Sequence, residues 1–438
     1  MEVKSDVLFI TYYWPPSGGA GVQRSLKFVK YLPSFGIHPV VLTVDPDKAT
    51  YPVIDESLKG EVTAGTTVLR TDSFEPLRWL SRLTGGKARI PHGGFTNQRK
   101  DKWSQRVLRF IRGNFFLPDA RVGWVRHAVR AAARIITEKG ISTVVISSPP
   151  HSSQLIGLEL KRRFPHIKWV ADLRDPWTDI YYYEEMHHLP FARKKDASLE
   201  KQVLERCDSA IVVSEHLRKL FVSKTGAELS SKFHVLSNGF DLEDFRAAVA
   251  PPSDRFTVTY VGTIADNYRP EVFIDALVLL RKELPESKIR LRFVGSPSIS
   301  LTDQLKKAGL NQLCDFIPYV AHEEAVRYMR ESSLLLLLIP QTTHDRLILT
   351  GKLFEYLGAG VPVVGIGPVD GDAASVLTSS GAGRVFDRND AVGLSRLLID
   401  YYFKWLQNTD LRHGRDVSVY ERKALTKRLA EIIRSNQS

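Results

Sequence analysis

The chain has 438 residues, too many for one ordinary hydrophobic core, and reads as two or three domains. Its balance of 43% apolar and 25% charged residues is that of a soluble globular protein, and no apolar run approaches the roughly 20 residues of a membrane-spanning helix. Two distant cysteines, Cys207 and Cys314, exclude a disulfide framework and a cysteine-rich metal site, which favours a reducing, cytoplasmic compartment.

The start, 1–6, is short and polar and lacks the basic residues and cleavage site of a signal peptide. Residues 7–12 form a compact apolar run suited to a central parallel strand. A Pro/Gly loop over 14–24 turns into a helix, with Val22, Leu26, Val29 and Leu32 near one stripe and Gly36 as the stop. Further strands are predicted over 39–44, 67–69, 143–148, 168–172 and 209–213. Helical stretches over 126–139, 153–164 and 197–206 separate the later ones. This alternation predicts a doubly wound parallel sheet.

The net charge of +12 is not spread evenly: between Pro76 and Arg130 thirteen lysines and arginines face two aspartates. Nearly all of the excess therefore sits in one insert, about 76–125, between the third and fourth strands. Within it Trp103, Val107, Phe110 and Ile111 recur at helical spacing, with Lys102, Arg106, Arg109 and Arg112 on the other side. A basic, aromatic-edged helix suits an anionic membrane surface; the alternative is a core-packed helix with a solvated basic face. The concentration of charge favours membrane contact through 76–130 and a peripheral place at the inner face of the membrane. No nucleic-acid-binding motif accompanies the charge, so nucleic acid is not expected as a partner.

A small-residue and proline linker over 247–254 marks a break, and strand–helix alternation then restarts. Strands are predicted over 256–261, 289–294, 334–339, 361–366 and 383–386, with helices over 270–283, 300–308 and 322–331. The expected domains are 1–246 and 253–405, both Rossmann-like. The helices of 406–438 are expected to pack back toward the first domain. Two such domains facing a cleft would turn the C-terminal strand ends toward it, with the loops 14–21, 172–179 and 350–355.

Thr350 and Gly351 read as the entry of a helix with Lys352 and Glu355 in its first turn. The first amides of a helix lack internal partners and the dipole makes that end mildly positive, so an added lysine suits a phosphate. Glu355 shares the face and can accept hydrogen bonds from hydroxyls. The alternative is an ordinary crossover helix with two solvated charges; placement at the cleft favours the phosphate site. Asp370-Gly371-Asp372 reads as helix capping, and Glu184 with His188 lacks a third ligand, so no metal site is expected.

Several stretches, weak singly, are specific in their order. They are Trp14-Pro-Pro-Ser-Gly-Gly-Ala-Gly-Val-Gln-Arg24, Ala171-Asp-Leu-Arg-Asp-Pro-Trp177, Ser237-Asn-Gly-Phe-Asp241, Tyr260-Val-Gly-Thr263, Phe293-Val-Gly295 and Gly351-Lys-Leu-Phe-Glu-Tyr-Leu-Gly-Ala-Gly-Val-Pro362. Over most of its length the chain resembles the retaining glycosyltransferases of GT-B architecture, group-one class, called family four. The resemblance implies a donor pyrophosphate beside the loop of Gly19 and Gly21, whose glycines let backbone N–H groups approach closely. It implies donor-binding roles for Gly262, Arg269, Thr350, Gly351 and Lys352, with Glu355 on the ribose hydroxyls. Arg174 stands where relatives often carry a histidine, and is assigned with Asp175 to catalysis. Arg174 would hold an anionic group and Asp175 an acceptor hydroxyl; a structural Arg–Asp pair is the alternative. Leu347 stands where relatives carry a sugar-contacting glutamate, with His344 and Asp345 nearby.

The implied activity is transfer of a sugar, with retention, from a nucleoside diphosphate to a saccharide or lipid-linked hydroxyl acceptor at the membrane surface, in envelope polysaccharide or glycolipid synthesis. No cofactor or metal is implied, the helix tip, Lys352 and Arg269 neutralising the departing diphosphate. The rivals are a sugar-nucleotide epimerase of the same fold and a non-catalytic nucleotide-sugar-binding scaffold.

Overall fold

The computed structural model describes residues 5–75, 103–246, 254–411 and 416–435. The N-terminal part of the basic insert, 76–102, and most of the expected linker lie outside the described residues. The chain divides into two compact units, Met1–Ser237 with Arg422–Ser438, and Asn238–Glu421.

In the first unit β1 (Ser5–Thr11) leads to α1 (Ala20–Tyr31), β2 (Ile37–Val44) and β3 (Thr67–Thr71). Gly36 closes the helical stretch in the left-handed region at φ 72°, as its place in the sequence predicts. After α2 (Trp103–Phe115) and α3 (Val125–Lys139) come β4 (Thr143–Ser148), α4 (Gln154–Arg163), β5 (Lys168–Leu173), α5 (Pro190–Arg206), β6 (Ser209–Val212), α6 (Glu215–Thr225) and β7 (Phe233–Val235). The strands pair in parallel in the order β3-β2-β1-β4-β5-β6-β7. Chain direction across the sheet therefore reverses between β1 and β4. The C-terminal helix, Arg422–Ser435, buries Leu425, Leu429 and Ile433 in the same core as Val22, Leu26 and Val29 of α1.

The second unit repeats the plan. β8 (Phe256–Thr263), α7 (Glu271–Glu283), β9 (Ile289–Ser296), α8 (Ile299–Lys307), β10 (Cys314–Ile317), α9 (His322–Arg330), β11 (Leu334–Leu338), α10 (Gly351–Ala359), β12 (Val363–Ile366), α11 (Asp372–Ser379), β13 (Gly383–Phe386) and α12 (Ala391–Leu406) follow in order. The sheet runs β10-β9-β8-β11-β12-β13, all parallel, and reverses between β8 and β11. The unbroken leucine run of β11 follows from this position. Leu334, Leu336 and Leu338 enter the core that holds Phe273, Leu277 and Leu394. Leu335 and Leu337 enter the opposite core with Leu353, Phe354 and Leu357. A strand covered by helices on both faces has no side left for polar residues.

Three differences from the sequence reading have physical reasons. β7 and β10 were not predicted; each is a short edge strand of three or four residues without an apolar run. α5 begins at Pro190 rather than 197, proline being favoured in a first turn because its missing N–H would have no helical partner. Asp370 does not cap α11: it accepts a hydrogen bond from Arg346 Nε at 2.9 Å, and Gly371 is the residue before the helix.

Candidate functional site

In open parallel sheets ligands bind beyond the C-terminal strand ends where the strand order reverses. In the second unit that place is the end of β8 and the segment between β11 and α10. Gly262, next to last in β8, has φ 116°, a left-handed conformation that favours glycine. A Cβ there would lie 3.1 Å from Lys352 Nζ, so this glycine leaves room for the ammonium. Tyr356 of α10 accepts a hydrogen bond from Val261 N at 3.0 Å, fixing the helix against β8.

Lys352 donates to the Tyr260 hydroxyl at 2.5 Å and lies 4.2 Å from the Tyr260 ring centroid and 5.8 Å from that of Tyr268. Among the described residues no carboxylate pairs with it. Burial lowers its pKa from 10.5 to about 8, and Glu355, one turn on, opposes the lowering. A desolvated cation at a helix tip without a counter-ion is a site for an anion. Thr350, just before the helix, keeps its Oγ1 buried and without a hydrogen-bond partner. Thus Gly262, Thr350, Gly351, Lys352 and Glu355 gather at one strand end.

Arg269 does not join them closely. Its backbone is left-handed at φ 50°, its side chain is 58% exposed, and its ion pair is with Glu271 at 3.8 Å. The segment before α10, expected to meet the donor sugar, is pinned by ion pairs. Asp345 accepts from Arg388 Nη1 at 2.8 Å, which leaves it engaged, and Arg346 meets Asp370. Leu347 lies in the 3-10 turn between these anchors.

In the first unit the strand order reverses between β1 and β4, followed by Tyr12 and Tyr13 on one side and Pro149 to His151 on the other. Gly19, at φ 91°, precedes α1, and Gly21 lies in its first turn. Arg174 is buried, and its guanidinium is spent on backbone. Nε donates to Ser148 O at 2.9 Å, Nη1 to Gly21 O at 2.7 Å and Nη2 to Pro149 O at 3.1 Å. It ties the glycine loop to the end of β4, a positioning task. The expected hold on an anionic group is not prepared in this arrangement, and the alternative, an ion pair with Asp175, is not formed among the described residues.

Asp175 accepts no hydrogen bond from any described residue. Burial raises its pKa, with Arg174 opposing and Asp172 adding to the rise. A half-buried carboxylate of raised proton affinity at a strand end is suited to accept a hydroxyl proton. Asp172, by contrast, is structural: Arg24, 0% exposed, grips it through Nε and Nη2, and Ser147 donates to it at 2.8 Å. The sequence reading missed this pair: α1 also carries Lys27 and Lys30, and nothing local sets Arg24 apart from them.

His151 was missed as well. Its ring stacks on Trp177 at 4.9 Å, both nitrogens are buried without a partner, and burial lowers its pKa to about 4. Elsewhere, Glu184 is paired with Arg193 and His188 stacks on Tyr183. No group of three or more potential metal ligands occurs among the described residues.

Two Rossmann-like units define the GT-B class of architecture, and solved structures agree with it along the whole chain. The sucrose-phosphate synthase of Thermosynechococcus elongatus has a TM-score of 0.61 and 15% identity over 98% of both chains. An Anabaena protein in complex with UDP-glucose has a TM-score of 0.58 and 14% identity, over 98% of this chain and 99% of that one. Family models described as "Glycosyltransferase Family 4" and "Glycosyl transferases group 1" match residues 87–244 and 255–402, most of the chain between them. The chain belongs to these group 1, family 4 glycosyltransferases. A curated relative, the D-inositol 3-phosphate glycosyltransferase of Kineococcus radiotolerans, is 26% identical over 201 residues. That match spans 39% of this chain and 45% of the relative.

Proposed function

We propose that this chain moves a hexose-type sugar from a nucleoside diphosphate donor to a hydroxyl acceptor with retention of configuration. The observation that carries the reading is the desolvated Lys352 ammonium beside Gly262 at the tip of α10, with Glu355 one turn on. The ammonium and the helix-tip amides meet the charge that grows on the diphosphate as the glycosidic bond breaks. Glu355 accepts from the ribose hydroxyls. Arg269, exposed on its loop, reaches the same diphosphate only by turning from Glu271. Asp175 holds the acceptor hydroxyl, and Arg174 keeps the loop of Gly19 and Gly21 in place for the donor. The departing diphosphate assists the incoming hydroxyl on the same face, without a covalent nucleophile or a required metal.

A lipid-linked acceptor at an anionic membrane, as in envelope polysaccharide or glycolipid synthesis, is favoured by the charge of the insert. Phe110 and Phe115 stand 37% and 67% exposed on α2. No helix among the described residues is long and apolar enough to cross a membrane.

A thermal-shift panel of nucleoside diphosphates tests the donor side, since binding raises apparent stability by mass action. The diphosphate that binds identifies the donor series for product analysis, with anomeric configuration read by NMR. Turnover should survive chelation. An epimerised donor formed without acceptor would replace this reading by the epimerase. Undiminished binding to both Lys352→Ala and Glu355→Ala would overturn the donor site.

A further inference from the structure

Residues 339–350 join β11 to the tip of α10, and the 3-10 turn Asp345–Leu347 is their one piece of regular structure. Their own side chains do little to hold them in place. Thr342 Oγ1 and Thr350 Oγ1 are buried without a hydrogen-bond partner, and Thr350 precedes α10 without capping it. A backbone bond from Gln341 N to Asn267 O at 2.8 Å ties the stretch to the loop after β8.

The main hold comes from Arg388, in the turn that follows β13. Its Nη2 donates to Ile339 O at 3.0 Å, where the stretch begins, and its Nη1 to Asp345 Oδ2 at 2.8 Å, where the 3-10 turn begins. One guanidinium thus closes the loop 340–344, a two-point hold that suits its rigid fork of donors. The acids beside Arg388 in sequence are occupied in shaping its own turn. Asp387 accepts from Asn389 N at 2.9 Å and Asn389 Nδ2 at 3.0 Å, and Asp390 accepts from Gly393 N at 2.8 Å.

A second clamp lies next to the first but is weaker. Arg346 Nε donates to Asp370 at 2.9 Å, and a Cβ on Gly371 would come within 3.3 Å of the Arg346 backbone. The side chains of Arg346 and Asp370 are 62% and 60% exposed, so solvent screens the pair and it contributes little. Those of Arg388 and Asp345 are 17% and 18% exposed, and a partly buried pair is screened much less. Asp345 is also the only acidic residue of 339–350. Left bare, its carboxylate would stand five residues from the helix tip and oppose a diphosphate bound beside Lys352.

We propose that Arg388 is a positioning residue for donor binding: acting through Asp345 and Ile339 O, it presets the stretch 339–350 and keeps its one carboxylate paired. This rests on the transferase reading and on Lys352 at the donor diphosphate. A stretch fixed before the donor arrives leaves less ordering for binding to supply, so affinity depends on an arginine that lies outside the site.

The test is calorimetric binding to the full chain, with UDP-glucose, GDP-mannose, ADP-glucose and their free nucleoside diphosphates as probes. For the probe that the parent binds, Arg388→Gln and Asp345→Asn should each weaken binding about tenfold or more, the scale of one lost hydrogen bond to a charged group. The double variant should bind no worse than the weaker of the two singles, because both changes undo the same contact. Arg388→Lys should recover part of the loss, since an ammonium can pair with Asp345 but lacks the fork that also reaches Ile339 O. Asp370→Asn, which breaks the screened pair, should leave binding near the parent value; a loss as large as that of Arg388→Gln would put the hold elsewhere and overturn the proposal. Parent-like binding in Arg388→Gln and Asp345→Asn, even with a lowered unfolding midpoint, identifies a purely structural arginine and overturns it, as do additive losses in the double variant. A parent that binds none of the probes defeats the donor site itself and this inference with it, whereas variants that match a binding parent defeat this inference alone. If Arg388→Gln does not fold, Arg388→Lys and Asp345→Asn decide.

Discussion

A buried lysine with no ion pair among the described residues makes donor binding depend on pH in a way that can be calculated. Folding lowers the Lys352 pKa from 10.5 to about 8, a depression worth about 3 kcal/mol. A diphosphate oxygen about 4 Å away at an effective dielectric near 20 returns about 4 kcal/mol per unit charge. Binding should therefore restore the ordinary lysine pKa and draw a proton from solution wherever the free ammonium has lost it. The stabilisation of the complex is full below about pH 8 and declines as pH rises through that value. At about pH 8 half the sites are neutral, so each binding event takes up about half a proton, rising to about nine-tenths at pH 9. Affinity should fall about tenfold between pH 7 and pH 9. Calorimetry of nucleoside diphosphate binding in two buffers of different ionisation enthalpy measures the uptake directly. Lys352→Met should abolish it and weaken binding about tenfold to a hundredfold, the loss of one hydrogen bond from a charged donor. Uptake that persists in Lys352→Met, or parent binding with no uptake near pH 8, would refute the reasoning.

Asp175→Asn keeps shape and removes the base; transfer should fall by about a hundredfold or more while nucleoside diphosphate binding, measured calorimetrically, stays at the parent value. Gly262→Ala forces an L side chain to φ 116° and places its Cβ 3.1 Å from Lys352 Nζ. It should cost about 1–3 kcal/mol in denaturant unfolding and weaken donor binding as well, and parent-like behaviour in both would contradict the packing described. His151 is kept neutral by burial, with Arg174 and Lys224 lowering its pKa further and Asp119 opposing. Its contribution to stability is full above the unfolded pKa of 6.5 and lost as pH falls to about 4, a loss of up to about 3 kcal/mol. His151→Gln should flatten that part of the stability–pH curve, and an unaltered slope would show that other groups carry it.

Most of the architecture was legible because central strands announce themselves. β4 falls at the predicted residues and β11 within one of them, since a strand covered on both faces is a short apolar run with sharp ends. The edge strands β7 and β10 carry polar positions such as His234 and Asp315 and lack that contrast. The tip of α10 was legible too, because a helix entry and a first-turn lysine are local features. Arg174 illustrates the limit: its place at a strand end was predictable, but its three carbonyl partners come from segments far away in sequence. Partners set by tertiary contact leave no local pattern to read.

The basic insert shows where a periodic pattern stops being informative. Sequence alone sorts α2 into an apolar and a basic side, and leaves two settings for it: an anionic membrane surface, or a core with the basic face solvated. In the structure Phe110 and Phe115 are exposed, while Arg112 is half-buried. The sorting rule assumes that charge seeks water, and it holds where burial of apolar area decides the orientation of a helix. α2 is also oriented by other terms. Its backbone is fixed by polar and close-packed contacts, here Gly113 against Met186 and Asn114 against 187–189. Such contacts join residues distant in sequence, so the periodicity of α2 alone does not say which of its faces is covered.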